Sequence, residues 1–578
     1  MYRHISPFLR KNIGRYVLGI LVLIFVDLLQ LLVPQMLKTF TDHLVGQDVT
    51  VMSIMHYAIA LLMIAIGIGI SRFLWRILIV LTALNFEAWL RSKFFRHLLT
   101  QPRKFFYQFK TGDLMANATN DINALREASS GGIIMIIDAV FLTISTVIVM
   151  IRSIDFGMTM LAIIPLPIIM ITVTFFTKKL FRYSRSVQQG FGALSEKVQE
   201  SFSGIRVIKS FAQEDEQLDD FNAKSKDYLE RNLRLVRTRA ILQPLITFIS
   251  TLSTIIALVI GSRYVIEGRI SLGSFVAFIN YLELLTWPMM AFGFFIAIIQ
   301  SGAASLDRLN HVFDRTSDLI DSEITQQPKD SSIEIRDLSF TYPGAEVPAL
   351  RHIDLYVPDG SSLGILGRTG SGKSTLVSLL MRLYNVEPGT IRIGGVDLLD
   401  LSIAQTREMI GAVPQDLFLF STTIRDNIAL SAGEPDDLKI VASAQTAHID
   451  REIRDFPQGY DTFLGEKGVN LSGGQKQRTS IARMIYKDAR IMILDDSLSA
   501  VDTITETAIL SHLRERIDGR TAIIVSHRIS TLKDLDHIIV MDEGSIIERG
   551  THDELLAAEG VYFDIYNKQK LEEQILAK

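Results

Sequence analysis

Six long apolar stretches set the first half of this chain apart from the second. They lie near residues 16–37, 54–82, 132–151, 157–177, 242–262 and 273–300. Each is long enough to cross the roughly 30 Å of hydrocarbon in a bilayer as an α-helix. The fifth is the clearest, because residues 243–261 include no charged side chain, whereas Arg72 and Arg76 interrupt the second. The pattern predicts six membrane-spanning helices.

The polar connections between these stretches indicate how the helices are oriented. The connection 84–130 contains seven Lys and Arg and the connection 178–240 contains thirteen, whereas the other three connections are short and carry little net positive charge. Lys and Arg are enriched in loops on the cytosolic side of a membrane. We therefore expect both long loops, the N-terminus and the second half of the chain to be cytosolic.

The two long connections keep a helical spacing of apolar residues, so we expect the spanning helices to continue beyond the membrane. The second connection shows this spacing at Phe191, Leu194, Val198, Phe202, Ile205 and Ile208. We predict turns near residues 111–114 and 203–206, and we expect these turns to contact a soluble half. The alternative is that they are ordinary helical hairpin turns.

Composition narrows the classes of protein that fit. The net charge is only −4, which provides no long-range field for nucleic acid, and we expect no nucleic-acid partner. The chain has no cysteine, which excludes disulfides and thiolate metal sites. Basic residues precede the first apolar stretch, as in a secretory signal, but the stretch is too long and lacks a small-residue cleavage site. We expect it to be retained as a helix.

Three acidic residues fall inside the predicted spans, namely Asp27, Asp138 and Glu283. A charged side chain is strongly unfavourable in hydrocarbon, so such residues usually face a polar cavity or an opposite charge. One interpretation is that they line a cavity that accepts cationic substrates. The alternative is that they pair with Arg72, with Arg76 or with a second subunit for structural reasons.

A phosphate-binding loop follows the short apolar strand 362–366, and an apolar helix follows the loop. Strand, glycine-rich loop and helix in this order present backbone N–H groups to phosphates. Lys373 is predicted to reach the β- and γ-phosphates, and Ser374 to give its hydroxyl to Mg²⁺. We expect the residues that bind ATP to be Gly367, Arg368, Thr369, Gly370, Ser371, Gly372, Lys373, Ser374 and Thr375.

Two acidic residues end a second apolar strand, which begins at residue 491. Asp495 is predicted to share Mg²⁺ with Ser374, because carboxylate and hydroxyl oxygens are the ligands that this ion prefers. Asp496 comes next, where a base or a water-orienting carboxylate belongs. Gln415 is predicted to contact Mg²⁺ and the γ-phosphate, and His527, after the strand 521–525, to donate a hydrogen bond to the γ-phosphate. The predicted catalytic residues are therefore Asp496, His527 and Gln415.

An aromatic pair upstream of the loop offers a face for a nucleotide base. Tyr342 is the candidate for stacking on adenine, and Phe340 is the alternative.

The peptide Leu471, Ser472, Gly473, Gly474 and Gln475 lies between Gln415 and Asp495. With this peptide added to the six apolar stretches and the phosphate-binding loop, the chain resembles a half-transporter of the ATP-binding cassette (ABC) exporter family. The resemblance covers essentially the whole chain. It implies a membrane all-α domain fused to an α/β P-loop nucleotide-binding domain. We place the membrane domain at 1–305, a linker at 306–330 and the nucleotide-binding domain at 331–578.

In the family that the chain resembles, two nucleotide-binding domains close head to tail around ATP and Mg²⁺. The resemblance implies that the signature peptide 471–475 serves the ATP of a partner, and that the segment 499–502 links the two sites. The chain departs from the family at Asp496, where Glu is usual. A carboxylate that is shorter by roughly an ångström can slow a reaction on the order of 100-fold. We therefore expect slow hydrolysis at this chain's own site.

Such a pattern resembles one subunit of bacterial heterodimeric multidrug exporters, in which the partner carries the Glu. We thus expect a multi-pass protein of the bacterial plasma membrane that exports amphipathic small molecules together with a second half-transporter. A homodimer with two active sites, a lipid flippase and an ATP-regulated channel remain as alternatives.

Overall fold

The computed structural model describes residues 3–46, 50–322, 326–465, 468–497, 505, 508–512 and 519–576. Contacts group the chain into two compact units. The membrane unit comprises Met1–Gln101 and Phe109–Thr316, and the nucleotide unit comprises Pro102–Gln108 and Ser317–Lys578. The last spanning helix continues to Phe313, beyond the predicted domain end at 305, and the first strand begins at Ile333.

Eight helices precede the first strand in the described residues. They are α1 (Ser6–Val45), α2 (Val51–Leu99), α3 (Arg103–Gln108), α4 (Thr111–Ser153), α5 (Phe156–Ser203), α6 (Ile205–Ser210), α7 (Glu214–Ile266) and α8 (Leu272–Phe313). The six long ones are apolar enough to cross a membrane. The prediction of six spanning helices is therefore confirmed.

Buried apolar residues of α1, α4, α5, α7 and α8 form the core of the membrane unit. Glycines allow close approach in this core: a Cβ on Gly261 would lie 2.5 Å from the Phe275 ring, and one on Gly293 would lie 2.6 Å from Val173. Many large apolar side chains of α1 and α2 remain exposed, as expected for a surface that faces lipid.

Three π-helical turns interrupt α4, at Asn117–Asp121, Ala128–Gly132 and Asp138–Leu142. Such turns add a residue to the helical turn and often accompany functional sites. The first ends at Asp121, whose buried carboxylate accepts hydrogen bonds from Ser305 Oγ (2.9 Å) and Arg308 Nε (3.0 Å). The third begins at Asp138, one of the acidic residues singled out above.

The first predicted turn lies elsewhere than expected. Thr111–Ala116 is the helical start of α4, so the prediction of a turn at 111–114 is wrong. Lys110 has an extended backbone (φ −67°, ψ 139°) directly before this helix, so the non-helical residue lies before Thr111 and not at 111–114. At the second predicted turn, α5 ends at Ser203 and α6 begins at Ile205.

The nucleotide unit contains ten strands in the part of the chain that the structure describes. They are β1 (Ile333–Phe340), β2 (Leu350–Val357), β3 (Ser362–Gly367), β4 (Ile391–Ile393), β5 (Val396–Asp397), β6 (Ile410–Val413), β7 (Ile491–Asp495), β8 (Thr521–Val525), β9 (His537–Asp542) and β10 (Ser545–Gly550). One sheet has the order β2-β1-β4-β5 and the other the order β10-β9-β3-β8-β7-β6.

The helices of the nucleotide unit follow in chain order. They are α9 (Lys373–Leu380), α10 (Ile403–Met409), α11 (Ile424–Ile428), α12 (Asp437–Thr446), α13 (Asp450–Asp455), α14 (Gly473–Lys487), α15 (Ile529–Leu532), α16 (His552–Ala557) and α17 (Val561–Leu576).

Strands β6, β7, β8, β3 and β9 are parallel to one another, and only the edge strand β10 is antiparallel to β9 among the described strands of this sheet. The carboxyl ends of the five parallel strands therefore meet at one edge of the sheet. Both faces of this sheet are covered. Along β7, Ile491 and Ile493 belong to one apolar core, and Met492 and Leu494 belong to the other. Burial on both faces explains why this strand reads as a continuous apolar run.

The Asp42 carboxylate connects the end of α1 to the start of α8. It accepts hydrogen bonds from Gly273 N and from Ser271 Oγ, both at 2.8 Å. We predict that Asp42→Ala lowers the free energy of unfolding by about 1–2 kcal/mol, the usual effect of losing a helix cap. Thermal unfolding in detergent measures this. Asp42→Asn keeps an acceptor oxygen and should cost less, and an unchanged melting temperature for Asp42→Ala would contradict the prediction.

Candidate nucleotide-binding site

The loop after β3 has the backbone that a phosphate site needs. Gly370 (φ 87°) and Gly372 (φ 99°) adopt left-handed conformations that only glycine enters readily. A Cβ on Gly372 would also lie 2.7 Å from the Ala349 carbonyl oxygen. The loop leads directly into α9, which begins at Lys373. The first N–H groups of this helix therefore face the end of the sheet and are available to an anion.

Lys373 is buried beneath this loop, with 6% of its surface exposed. Its ammonium donates to the carbonyl oxygens of Gly367 (2.8 Å) and Arg368 (2.7 Å). Burial lowers the pKa of Lys373, and the nearby carboxylates of Asp495 and Asp496 oppose that shift. A cation held in this way adds positive charge at the position where phosphates would bind.

A cleft of about 300 Å³ lies at the ends of the parallel strands. Its walls bring together most of the predicted site residues, which are Tyr342, Thr369, Gly370, Ser371, Gly372, Lys373, Ser374, Thr375, Gln415, Asp495, Asp496 and His527. Gly367 and Arg368 contribute through the carbonyl groups that hold Lys373. Residues separated by more than 180 positions in sequence thus meet in one place.

Asp495 ends β7 opposite Val525 of β8 and is buried. Its Oδ1 has no hydrogen-bond partner within the described part of the chain. Burial raises the pKa of Asp495 and the adjacent Asp496 raises it further, while a hydrogen bond from Ser374 opposes the rise. An unpaired buried carboxylate oxygen next to a serine hydroxyl fits a hard divalent cation, and Mg²⁺ typically takes few protein ligands and completes its shell with water and phosphates.

Asp496 has a left-handed backbone (φ 47°), and its N–H donates to the Val525 carbonyl at 2.9 Å. Asp and Asn enter this region more readily than other residues with side chains. The half-buried side chain lies on the wall of the cleft, beside Lys373. The geometry holds a short carboxylate at a defined point next to the phosphate loop.

Tyr342 lines the cleft and donates a hydrogen bond from its hydroxyl to Thr375 Oγ1 (3.0 Å). Phe340, the alternative considered above, packs against an apolar core. Tyr384 was not among the predicted site residues, and its ring meets that of Tyr342 edge-on at 5.3 Å. No local motif marks Tyr384, so only tertiary packing reveals it.

The signature peptide forms the start of α14. Ser472 caps this helix, since its Oγ accepts from Gln475 N and the Gln475 side chain accepts from Ser472 N. Gln475 Nε2 also donates to the Glu452 carboxylate at 2.8 Å. Among the described residues, none from 471–475 lines the cleft. The segment 499–502, predicted to link two sites, lies outside the described residues.

Arg483 of α14 is a second residue that the sequence analysis missed. It donates to the carbonyl oxygens of Asn427 (2.7 Å) and Phe418 (3.0 Å) and to Asn427 Oδ1 (2.8 Å). Burial lowers the pKa of Arg483 to about 10. These bonds connect the helix that carries the signature to the segment that follows Gln415.

The acidic residues of the membrane unit fall into two places. Asp27 is 1% exposed and lies near Asp138 and Arg72, and Asp138 lies near Trp287. One oxygen of Asp27 and one of Asp138 have no partner within the described ranges. Glu283 instead lines a cavity of about 670 Å³ together with Arg72 and Trp287.

Spanning helices and a phosphate-loop domain in one chain define a membrane protein with its own ATP-binding domain. A family model described as the ABC transporter transmembrane region matches residues 16–289, and one described as ABC transporter matches residues 350–499. The chain belongs to the ABC transporter family, as an exporter with fused membrane and nucleotide-binding domains. It is therefore an ATPase and a multi-pass plasma membrane protein, as predicted.

Several relatives match over almost their whole length. The chain is 36% identical to the probable multidrug resistance ABC transporter ATP-binding/permease protein YheI of Bacillus subtilis, over 96% of this chain and 95% of the relative. It is 35% identical to the multidrug resistance-like ATP-binding protein MdlA of Escherichia coli, over 99% and 97%. It is 32% identical to an ATP-dependent lipid A-core flippase of Aromatoleum aromaticum, over 100% and 98%.

A solved structure of a bacterial Atm1-family ABC exporter with ATP bound has the same fold. The TM-score is 0.78 at 24% identity, and the match covers 97% of this chain and 98% of that one.

We predict that Tyr342→Ala weakens ATP binding about tenfold, because stacking of a base on an aromatic ring contributes roughly 1–3 kcal/mol. Tyr342→Phe keeps the ring and loses only the bond to Thr375, so it should change affinity by about threefold or less. Titration of the full chain with a fluorescent ATP analogue measures both. Phe340→Leu serves as the control for core packing. Equal affinities for wild type and Tyr342→Ala would refute the role of Tyr342.

Proposed function

We propose that this chain is one half of a heterodimeric multidrug exporter and that its own ATP site hydrolyses ATP slowly. The observation that carries this proposal is Asp496, a short carboxylate with a left-handed backbone on the wall of the cleft that also holds Lys373 and His527. A base must come within hydrogen-bond reach of the proton that it removes. The carboxylate of Asp496 is one methylene shorter than the Glu usual at this position, so it orients the attacking water poorly.

The other residues of the cleft have separate roles in this proposal. Lys373 and the loop 367–375 bind the phosphates, and Tyr342 stacks on adenine. Ser374, Asp495 and Gln415 hold Mg²⁺, which neutralises the charge that develops on the phosphates. His527 donates a hydrogen bond to the γ-phosphate. The buried, unpaired oxygen of Asp495 supports the assignment of the ion.

In this proposal, a second half-transporter is needed to form the complete exporter. The signature residues 471–475 lie away from this chain's own cleft, which is consistent with a role at the partner's ATP. We propose that the partner is a related chain with Glu at the catalytic position. ATP then shifts the two nucleotide-binding domains towards the closed dimer, because a ligand biases a conformational equilibrium only by its difference in affinity for the two states.

The proposed cargo is an amphipathic, often cationic small molecule. Buried carboxylate oxygens without partners at Asp27 and Asp138, and Glu283 in a cavity beside Trp287, would supply negative charge and an aromatic face to such a cargo. The names of the multidrug relatives support this class.

Of two alternatives, a lipid flippase and a homodimer, the first has specific support. A lipid flippase is favoured by the similarity to a lipid A-core flippase and by Arg72, a cation in the same cavity as Glu283. A homodimer with two active sites would follow if Asp496 serves as an adequate base. Mass spectrometry of the protein purified from its native membrane distinguishes a homodimer from a complex with a related chain that has Glu after its strand-end Asp.

We predict that Asp496→Glu raises ATP hydrolysis at this site at least about tenfold, because the longer carboxylate reaches the water. Phosphate release by the full chain in lipid nanodiscs measures it. Asp496→Asn is the matched control, since Asn also tolerates the left-handed backbone but cannot act as a base, and it should hydrolyse no faster than wild type. Brisk hydrolysis by the wild-type chain alone, without acceleration by Asp496→Glu, would end the slow-site proposal.

We further predict that Asp138→Asn combined with Glu283→Gln reduces ATP-dependent accumulation of a cationic dye in inverted vesicles severalfold. Removal of the negative charges weakens attraction to a cation, and accumulation of an uncharged amphiphile of similar size should change little. Glu267→Gln, in the connection between α7 and α8, is the control. Unchanged transport of the cationic dye by the double variant would exclude these acids from the cargo site.

A further inference from the structure

The loop that carries His527 is held by a residue of the C-terminal helix α17. Gln569 Nε2 donates to the His527 carbonyl oxygen at 2.6 Å, and Gln569 Oε1 accepts from Ile529 N at 2.9 Å. One side-chain amide thus spans the short segment between β8 and α15. It binds one backbone group on each side of Arg528.

The rest of this loop is anchored to the sheet rather than to the cleft. Ser526 N donates to the Ile365 carbonyl of β3 at 3.2 Å, and Ser526 Oγ accepts from Arg528 N at 3.0 Å. The imidazole of His527 lines the cleft. Its direction therefore depends on the backbone between Ser526 and Ile529, which Gln569 holds from the other side.

The helix that supplies Gln569 is itself firmly attached. The N–H groups of Val561 and Tyr562 donate to the Glu548 carboxylate of β10. Tyr562 is fully buried, and its hydroxyl lies 2.7 Å from His552 Nδ1. Gln569 therefore lies on a helix that is held in place. A side chain on such a helix can fix the backbone geometry of a neighbouring loop.

The carboxamide of Gln569 meets both requirements at once, through its NH2 group and its oxygen. The His527 carbonyl needs a donor, and the Ile529 N–H needs an acceptor. Glu at 569 would accept from Ile529 N but would place a carboxylate against the His527 carbonyl, and Met would satisfy neither group. The side chain of Gln569 matches both of these backbone groups, which indicates that its amide has a specific role in this loop.

We propose that Gln569 is a positioning residue that sets the direction of the His527 imidazole towards the γ-phosphate, so that the C-terminal helix controls the hydrolytic step. This inference rests on the role proposed above for His527. Gln569 does not line the cleft among the described residues, so it acts through the loop and not by contact with nucleotide.

The test is a double-mutant cycle on the full chain alone in lipid nanodiscs, so that hydrolysis at this chain's own site is measured without that at a partner's site. ATP hydrolysis and its KM are measured for wild type, Gln569→Glu, Gln569→Met, His527→Ala and the combination of His527→Ala with Gln569→Met. Gln574→Glu on the exposed side of the same helix is the matched control for charge. Melting temperatures report whether each variant is folded.

We expect Gln569→Met and Gln569→Glu to lower kcat about five- to tenfold, as for the loss of one or two hydrogen bonds, with KM for ATP within about twofold. In the His527→Ala background, Gln569→Met should have no further effect, because its effect passes through the imidazole. A merely structural role would instead slow both backgrounds equally.

Equal slowing in both backgrounds would overturn the inference, and two further results would also overturn it and are distinguishable. If His527→Ala slows hydrolysis and both Gln569 variants match wild type, Gln569 has no positioning role and the role of His527 stands. If His527→Ala itself leaves hydrolysis unchanged, the proposed role of His527 fails and the inference fails with it.

Discussion

The register of the parallel strands is the constraint on which the nucleotide site depends. Pairing of Gly364 with Ile524, and of Asp495 with Val525, brings the carboxyl ends of β3, β7 and β8 to the same edge of the sheet. Each loop that leaves this edge carries one part of the cleft. A shift of β7 by one residue in the register would put a neighbour in the place of Asp495, either an apolar residue or one whose side chain points in another direction. The apolar cores on both faces of the sheet oppose such a shift and therefore also maintain the site.

Backbone conformation is the second constraint on the nucleotide site. Left-handed residues occur in the phosphate loop at Gly370 and Gly372 and again at Asp496. Such conformations are unfavourable for most residues and persist where the surrounding structure holds them. Here the bond from Asp496 N to the Val525 carbonyl fixes the second carboxylate relative to β8. Asp tolerates this left-handed backbone, so the conformation favours Asp at position 496. The same residue type also has a consequence for the chemistry of the site.

Two of the three π-helical turns in α4 of the membrane unit contain an acidic residue. The wide turns of α4 include Asp121, which pairs with Arg308, and Asp138, which lies near Asp27 and Arg72. An added residue in a turn rotates the side chains that follow it around the helix axis. Asp138 lies within the predicted span 132–151, where a nearby cation such as Arg72 offsets the unfavourable burial of a carboxylate.

Hydrophobic length and strand-loop-helix order are local signals, so they sufficed to predict the six spans, the α/β class of the second half and the residue types around the phosphate loop. Which distant residues meet depends on the folded arrangement. The folded chain brings Gln415, Asp496 and His527 to one cleft, reveals Tyr384, Arg483 and Gln569, and makes residues 111–114 helical instead of a turn. These depend on packing between elements far apart in the chain, and no local pattern encodes such contacts.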